Sequence, residues 1–251
     1  MEPNTHNDMD ISTITRSNYV RNRTVHFIWN DEIVGKTLYQ GNYWEEWMFP
    51  LIQKYYRPGT NMIDIGSYIV TTAMLMEEVL TERNQIYAFE PVFHRVTWKN
   101  IEENGLQNRI VLHTCGLSNR DCYYKMPAIS YDDPKNYGAT SLTLFDTVDD
   151  QETGVIPVKR LDDFQIKNVG LIKIDVEHME IPTLEGAIET IEQYRPVILI
   201  ESYFVDKLRS SDVFRQMEKS CGYTIHPALP DIPIESCVDF IMIPDQENKY
   251  S

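Results

Sequence analysis

Three apolar runs of this chain stop on a carboxylate. Gln85 to Phe89 ends at Glu90, Val169 to Ile174 ends at Asp175, and Val197 to Ile200 ends at Glu201. An acid at the end of a buried strand is costly unless it is paired or reaches a cleft. In a cleft it can accept the hydroxyls of a ribose or take a proton from a nucleophile. A plainer role is open to each, since an acid after a strand also caps the next helix. Glu90 has the most informative surroundings. Met62-Ile63-Asp64-Ile65 stops at Gly66, Ser67 to Val70 follow, and a helical pattern runs from Thr71 to Leu80 before the strand that ends at Glu90-Pro91. Strand, glycine turn, helix, strand and acid, within about 30 residues, make the nucleoside-binding half of a doubly wound sheet.

The rest of the chain supplies the frame. Strands are expected at Arg109 to Thr114, ending at Cys115-Gly116, at Val155 to Val158, and at the two runs ending in Asp175 and Glu201. Helical patterns cover Val92 to Asn104, Ile181 to Tyr194 and Asp212 to Ser220, and a last strand pair covers Tyr223 to His226 and Val238 to Ile243. This alternation predicts an α/β fold: a doubly wound, seven-stranded, mainly parallel sheet with helices on both faces and an antiparallel C-terminal strand pair. Residues 1–23 are polar and are expected to be loosely attached. Residues 24–60 are expected to cap the domain with a strand pair, Thr24 to Ile28 and Glu32 to Leu38, turning at Asn30-Asp31, and a helix near Trp44 to Tyr55. Residues 61–251 make the main domain. Asp121 to Val148 reads as irregular. A connection that long in a compact domain is usually functional.

Bulk properties narrow the partners. The 251 residues carry a net charge of −15 and no Lys/Arg cluster, so no nucleic-acid partner is expected. No apolar run approaches the about 18 residues of a membrane span, and no membrane partner is expected. The four cysteines, Cys115, Cys122, Cys221 and Cys237, have no metal or redox spacing; they read as reduced thiols of a cytoplasmic protein. Tyr43 and Glu45 are candidates for a cap over the pocket, although aromatics there also suit core packing.

Met62-Ile63-Asp64-Ile65-Gly66, Ala88-Phe89-Glu90-Pro91 and Leu171-Ile172-Lys173-Ile174-Asp175-Val176-Glu177 together resemble the FkbM family of S-adenosylmethionine-dependent methyltransferases. Asn100, Leu161-Asp162 and Arg195-Pro196 support the likeness, which covers about Tyr43 to Glu201. The resemblance implies a Rossmann-like class I methyltransferase domain and S-adenosylmethionine as cofactor. It places Asp64, Gly66, Ser67 and Tyr68 against the methionine part of the cofactor. It also places Glu90-Pro91 at the ribose, Cys115-Gly116 near the adenine and Asp175 at the reacting centre. The acceptor implied is a hydroxyl of a carbohydrate or related small molecule, a free or glycan partner. A hydroxyl needs a base; Asp175 is the candidate, with Glu177 or Glu201 second. Tyr43, Glu45, His178 and Glu201 are the candidate acceptor contacts. Asp175, Glu177 and Glu201 could offer oxygens to a divalent metal, but none is expected, because no carboxylate pair has compelling ligand spacing.

Two departures stand out. The family writes its turn Gly-Ala-Asn-Ile-Gly; here it is Gly66-Ser67-Tyr68-Ile69-Val70. The family's Asp-Val-Glu-Gly ends here in His178. Valine is expected to need negative φ and to bring bulk toward a ligand. A methyltransferase fold that only binds a partner is therefore an alternative reading. An NAD-dependent oxidoreductase is a weaker one, since a full G-x-G-x-x-G is lacking.

Overall fold

The chain begins in an antiparallel hairpin and then winds into a large sheet. A computed structural model describes residues 10–126, 129–142, 147–148, 154–229, 232 and 236–245. Helix α1 (Ile11–Ile14) leads into strands β1 (Thr15–Val20) and β2 (Arg23–Ile28), and helices α2 (Val34–Tyr39) and α3 (Met48–Tyr55) follow. The first winding half is β3 (Asn61–Ile65), α4 (Thr71–Glu77), β4 (Ile86–Phe89), α5 (His94–Glu103) and β5 (Ile110–His113). A small four-stranded sheet comes next, from β6 (Gly116–Leu117), β7 (Cys122–Lys125), β8 (Thr147–Val148) and β9 (Val155–Lys159). The second half is β10 (Val169–Ile174), α6 (Glu180–Glu185), α7 (Ile188–Tyr194), β11 (Val197–Glu201), α8 (Val205–Arg209), α9 (Asp212–Cys221), β12 (Thr224–Pro227) and β13 (Asp239–Ile243).

The main sheet has seven strands in the order β12-β13-β11-β10-β3-β4-β5. Pairing is parallel from β11 through β5, and β13 runs antiparallel to both its neighbours. The C-terminal strand pair is as expected, with β13 inserted between β11 and the edge strand β12. Winding reverses between β3 and β10, which is where an open α/β sheet forms its crevice. Strand periodicity splits the core in two. Met62, Ala88, Leu171 and Leu199 face α3, α4 and α5. Ile63, Phe89, Ile172, Ile174 and Ile200 face α6, α7 and α9. Asp64 and Lys173 lie on the first face, in an otherwise apolar layer.

The N-terminal segment corrects the sequence reading. The hairpin pairs β1 with β2 about a turn at Arg21-Asn22, both at positive φ (50° and 60°), and residues 34–39 are helical. Two central turn residues at positive φ give the twist a tight hairpin needs. Asp31 starts the helix instead of a strand turn: its Oδ1 accepts from the amides of Ile33 (2.9 Å) and Val34 (3.0 Å). Residues 15–23, expected to be loosely attached, are therefore part of the fold. The hairpin docks through two asparagines of α5. Asn100 exchanges hydrogen bonds with the backbone of His26, and Asn104 with that of Thr24. An i, i+4 step along a helix rises about 6 Å, close to the two-residue step of a strand, so two side chains can act as an extra strand partner.

Two further expectations change. The stretch from Asp121 to Val148 contains β7 and β8, with residues 127–128 and 143–146 outside the described set. The single helix expected from Ile181 breaks at Gly186. An added Cβ there would stand 1.9 Å from the Ser118 carbonyl oxygen, so the chain needs glycine to pass. Helix α7 is restarted by the Asp162 carboxylate, which accepts from the amides of Glu189 and Thr190.

Candidate active site

A cavity of about 590 Å³ opens over the carboxyl ends of β3, β4, β10 and β11, at the winding reversal. Twelve of the residues singled out from the sequence line it: Tyr43, Glu45, Gly66, Ser67, Tyr68, Glu90, Pro91, Cys115, Gly116, Asp175, Glu177 and Glu201. Two do not. Asp64 lies beneath the floor, fully buried, and His178 is exposed outside.

The floor is ionic. Lys173 Nζ donates to Asp175 Oδ2 (3.0 Å) and to the Gly66 carbonyl (3.1 Å), and stands 3.8 Å from Asp64 Oδ1. Burial alone would push Lys173 down. The charges of Asp175, Asp64 and Glu45 reverse that and hold it well above the ordinary lysine range. Burial raises the Asp64 carboxyl, against the pull of Lys173. Neither Asp64 oxygen, nor Ser67 Oγ in the cavity wall, has a hydrogen-bond partner among the described residues. The sequence motif Leu171-Ile172-Lys173-Ile174-Asp175 gives Lys173 no role by itself. The available signal was a lysine inside the apolar run Leu171-Ile172-Lys173-Ile174, which has to be paired if the strand is buried.

The glycine turn is built for strand packing. Gly66 has φ +76°, and an added Cβ would stand 1.7 Å from the Asp175 carbonyl oxygen. Its bareness lets the tips of β3 and β10 meet; it is not explained by a ligand's approach. Tyr68 (φ +45°) is held at its backbone and its ring, and its carbonyl accepts from the Thr97 hydroxyl. Its amide donates to Glu90 Oε2 (2.9 Å), its hydroxyl to Asp31 Oδ2 (2.5 Å), and its ring packs edge-on to Phe93. Tyr68 and Asp31 thus tie the N-terminal cap to the turn.

Val70 also overturns an expectation. It sits at φ +71°, ψ +17°, immediately before α4, and its side chain is fully buried in the core with Ala73 and Met74. The backbone follows a glycine's path, yet the side chain does not line the cavity. Left-handed backbone costs a residue with a Cβ about 1–2 kcal/mol, and burying valine returns about 1.5–3 kcal/mol. Val70→Gly removes both contributions. The expected result is a stability loss of only about 1 kcal/mol in a denaturant titration, with ligand affinity unchanged. A loss above about 3 kcal/mol would mean that valine is unstrained there.

Glu90 is buried, and its carboxylate is already engaged. Oε1 accepts from the amides of Val92 and Phe93, both at 2.7 Å, and Oε2 from Tyr68. Burial pushes its pKa up to about 7 despite these three donors. A carboxylate offers about four lone-pair sites, so roughly one is left for a ligand hydroxyl in this rotamer. Glu90 therefore serves as a loop and helix cap as well as a cavity wall. Tyr43 is similarly committed: its hydroxyl donates to the Thr71 carbonyl (2.8 Å), so only its ring faces a ligand. Burial raises the Cys115 thiol to about 11, which makes it an inert wall.

At the opposite end the acids gather. Glu201 and Asp175 stand at the tips of the adjacent parallel strands β11 and β10; burial and the Asp175 charge push Glu201 up to about 8. Burial also raises Glu177, Glu45 to about 7 and Asp239 to about 6. Tyr203 and Asp239 line the cavity and were missed in the sequence. Tyr203 carried no local signal, and Asp239 reaches the site only because β13 inserts beside β11. Among the described residues no group of three or more His, Cys, Asp or Glu could hold a metal ion. None of their helices is long and apolar enough to cross a membrane.

Residues 64–225 match the family model of the methyltransferase FkbM domain. The chain belongs to the FkbM methyltransferase family. None of the curated proteins compared matches it. Among solved structures it is similar to an FkbM methyltransferase from Methylobacillus flagellatus KT, at 18% identity and TM-score 0.49, over 85% of this chain and 55% of that one. The chain thus spans about half the length of that relative. A Clostridium thermocellum protein assigned as an rRNA methylase shares 10% identity over 79% of this chain and 93% of that one, at TM-score 0.50. An O-methyltransferase from Bacillus cereus in complex with SAH shares 14% identity over 79% of this chain and 78% of that one, at TM-score 0.43. At such identities the likeness concerns the fold. Within the FkbM pattern, both departures noted in the sequence keep the glycine backbone. Val70 has φ +71° and His178 has φ +74°. Both residues thus sit in the left-handed region that glycine favours.

Proposed function

We propose that this FkbM-family chain transfers a methyl group from S-adenosylmethionine to a hydroxyl oxygen of a carbohydrate or related small molecule. The observation that carries this reading is that Asp175 and Glu201, at the tips of the adjacent strands β10 and β11, line the same cavity as the Gly66-Ser67-Tyr68 turn.

The residues present fit the cofactor. Ser67 Oγ has no partner, Glu90 keeps an accepting site beside the turn, and Phe89, Cys115, Gly116 and Leu117 give an apolar wall for a base. When bound, the cofactor would supply an activated methyl carried on a sulfonium. The chain's own task is then to place the acceptor oxygen in line and take its proton. Lys173 engages Asp175 Oδ2 in a 3.0 Å hydrogen bond, which commits that carboxylate to the floor. Glu201, raised by burial and by that neighbouring charge, is the better-matched base near neutral pH. Asp175 and Glu201 thus exchange the roles expected from the sequence: Asp175 orients, Glu201 accepts. Trp44, Glu45 and Trp47 line the cavity from the α2–α3 connection.

The test is incubation with isotopically labelled S-adenosylmethionine and a panel of hydroxylated acceptors, followed by NMR of the products. The expected result is label on an oxygen-bound methyl. Label only on nitrogen or carbon would refute the O-transfer reading.

A further inference from the structure

Tyr68 joins two parts of the molecule. Its backbone is fixed on the sheet side, where the amide donates to Glu90 Oε2 at 2.9 Å and the carbonyl accepts from Thr97 of α5. These two bonds hold the glycine turn without help from the side chain. The hydroxyl reaches the N-terminal cap and donates to Asp31 Oδ2 at 2.5 Å. Asp31 is only 2% exposed, and its other oxygen starts α2. The same stretch carries a second loop. The Glu32 amide donates to the Lys135 carbonyl (3.0 Å), the Lys135 amide to the Asn30 carbonyl (3.2 Å), and the Asn30 side chain to the Tyr131 carbonyl (2.8 Å). Within that loop Tyr137 is fully buried, and its hydroxyl donates to the Ser130 and Asp133 carbonyls. Residues 30–34 and 130–140 are therefore hydrogen-bonded into one piece. That piece gives the cavity a wall: Ile33, Val34, Asn136, Gly138 and Thr140 line it together with the glycine turn.

We propose that Tyr68 is a positioning residue for the cofactor. Through Asp31 it holds the wall formed by residues 30–34 and 130–140 against the glycine turn, and a bound S-adenosyl nucleoside leaves faster when that bond is lost. The inference rests on the methyltransferase reading. It gives the Tyr68 side chain a task other than touching the cofactor. A hydroxyl bonded to a carboxylate makes a charge-assisted hydrogen bond. Without that donor, Asp31 Oδ2 is stranded in the interior, which is costly. The carboxylate regains a partner by moving toward water, and α2 and the second loop move with it.

The test is a double-mutant cycle on the whole chain, read through the release of labelled S-adenosylhomocysteine. Tyr68→Phe keeps the ring against Phe93 and loses the hydroxyl. Asp31→Ser still caps α2 but is too short to reach Tyr68. Each is expected to speed release at least about fivefold, and the double variant no more than the faster single one, because both break the same bond. Asn104→Ala is the control for lost stability: Asn104 ties the hairpin to α5 and does not line the cavity. It should lower the melting transition and leave release unchanged. Release from Tyr68→Phe at the wild-type rate overturns the inference, since the hydroxyl then serves the fold alone. Fast release from Tyr68→Phe with normal release from Asp31→Ser also overturns it, and assigns the hydroxyl to the cofactor itself. So do effects that multiply in the double variant, or an equal effect of Asn104→Ala. Should Tyr68→Phe fail to fold, Asp31→Ser beside Asn104→Ala decides by the same readout. A wild type that binds no S-adenosylhomocysteine overturns the parent reading and this inference with it.

Discussion

Glu201→Gln should lower turnover about 100-fold or more while S-adenosylhomocysteine still binds. Glutamine keeps the shape, so the fold and the pocket are expected to remain. What it loses is the ability to accept a proton. Glu201 is preferred to Asp175 for this test because of what each holds. Asp175 is the closest partner of a buried lysine, at 3.0 Å, and Asp175→Asn would leave that charge with Asp64 at 3.8 Å and the more distant Glu45. Breaking a buried pair costs about 3–5 kcal/mol, so a dead Asp175→Asn would not separate catalysis from folding. Steady-state kinetics of Glu201→Gln with saturating cofactor gives the answer. Near-wild-type turnover would remove Glu201 from the mechanism.

Gly66→Ala is expected to destabilise the chain by about 3 kcal/mol or more. The new methyl would have to occupy space 1.7 Å from a backbone oxygen of Asp175. Neither partner is a flexible side chain, so β3 and β10 would have to part. The floor built on them would part as well, because Lys173 bonds the Gly66 carbonyl from β10. Chemical denaturation of the variant beside the wild type checks this. A loss under about 1 kcal/mol would mean that the strand tips are not in contact and that the glycine serves the ligand.

The sequence made the acid-tipped strands legible because each combines a run of β-branched and apolar residues with an abrupt polar stop. Glu90, Asp175 and Glu201 therefore converge where they were expected. The hairpin was misplaced for a physical reason. Strand β1 buries only Thr15 and Val20 fully, so Arg16 to Tyr19 shows no alternation to read. Val34 and Leu38 are four apart, a helical spacing, but valine, threonine and tyrosine around them suggest a strand, and the Asp31 cap that decides the matter was taken for a turn. At Val70 the expectation that valine needs negative φ ignored packing. The side chain's place in the core holds the backbone in a conformation that local preference disfavours. Lys173 was visible as a lysine in an apolar strand, but its two acids lie on different strands, and only the parallel register of β3 and β10 brings them together. Asp239 depended on where the last strand would insert, which no local pattern encodes.

An S-adenosyl nucleoside is expected to bind in the cavity at the β3–β10 reversal. Isothermal titration of the whole chain with S-adenosylhomocysteine tests it directly, with Glu90→Gln measured alongside. Saturable one-to-one binding is expected of the wild type, weakened by about 1–3 kcal/mol in the folded variant, since that change removes the charge from the acid beside the turn. A wild type that shows no binding would contradict it.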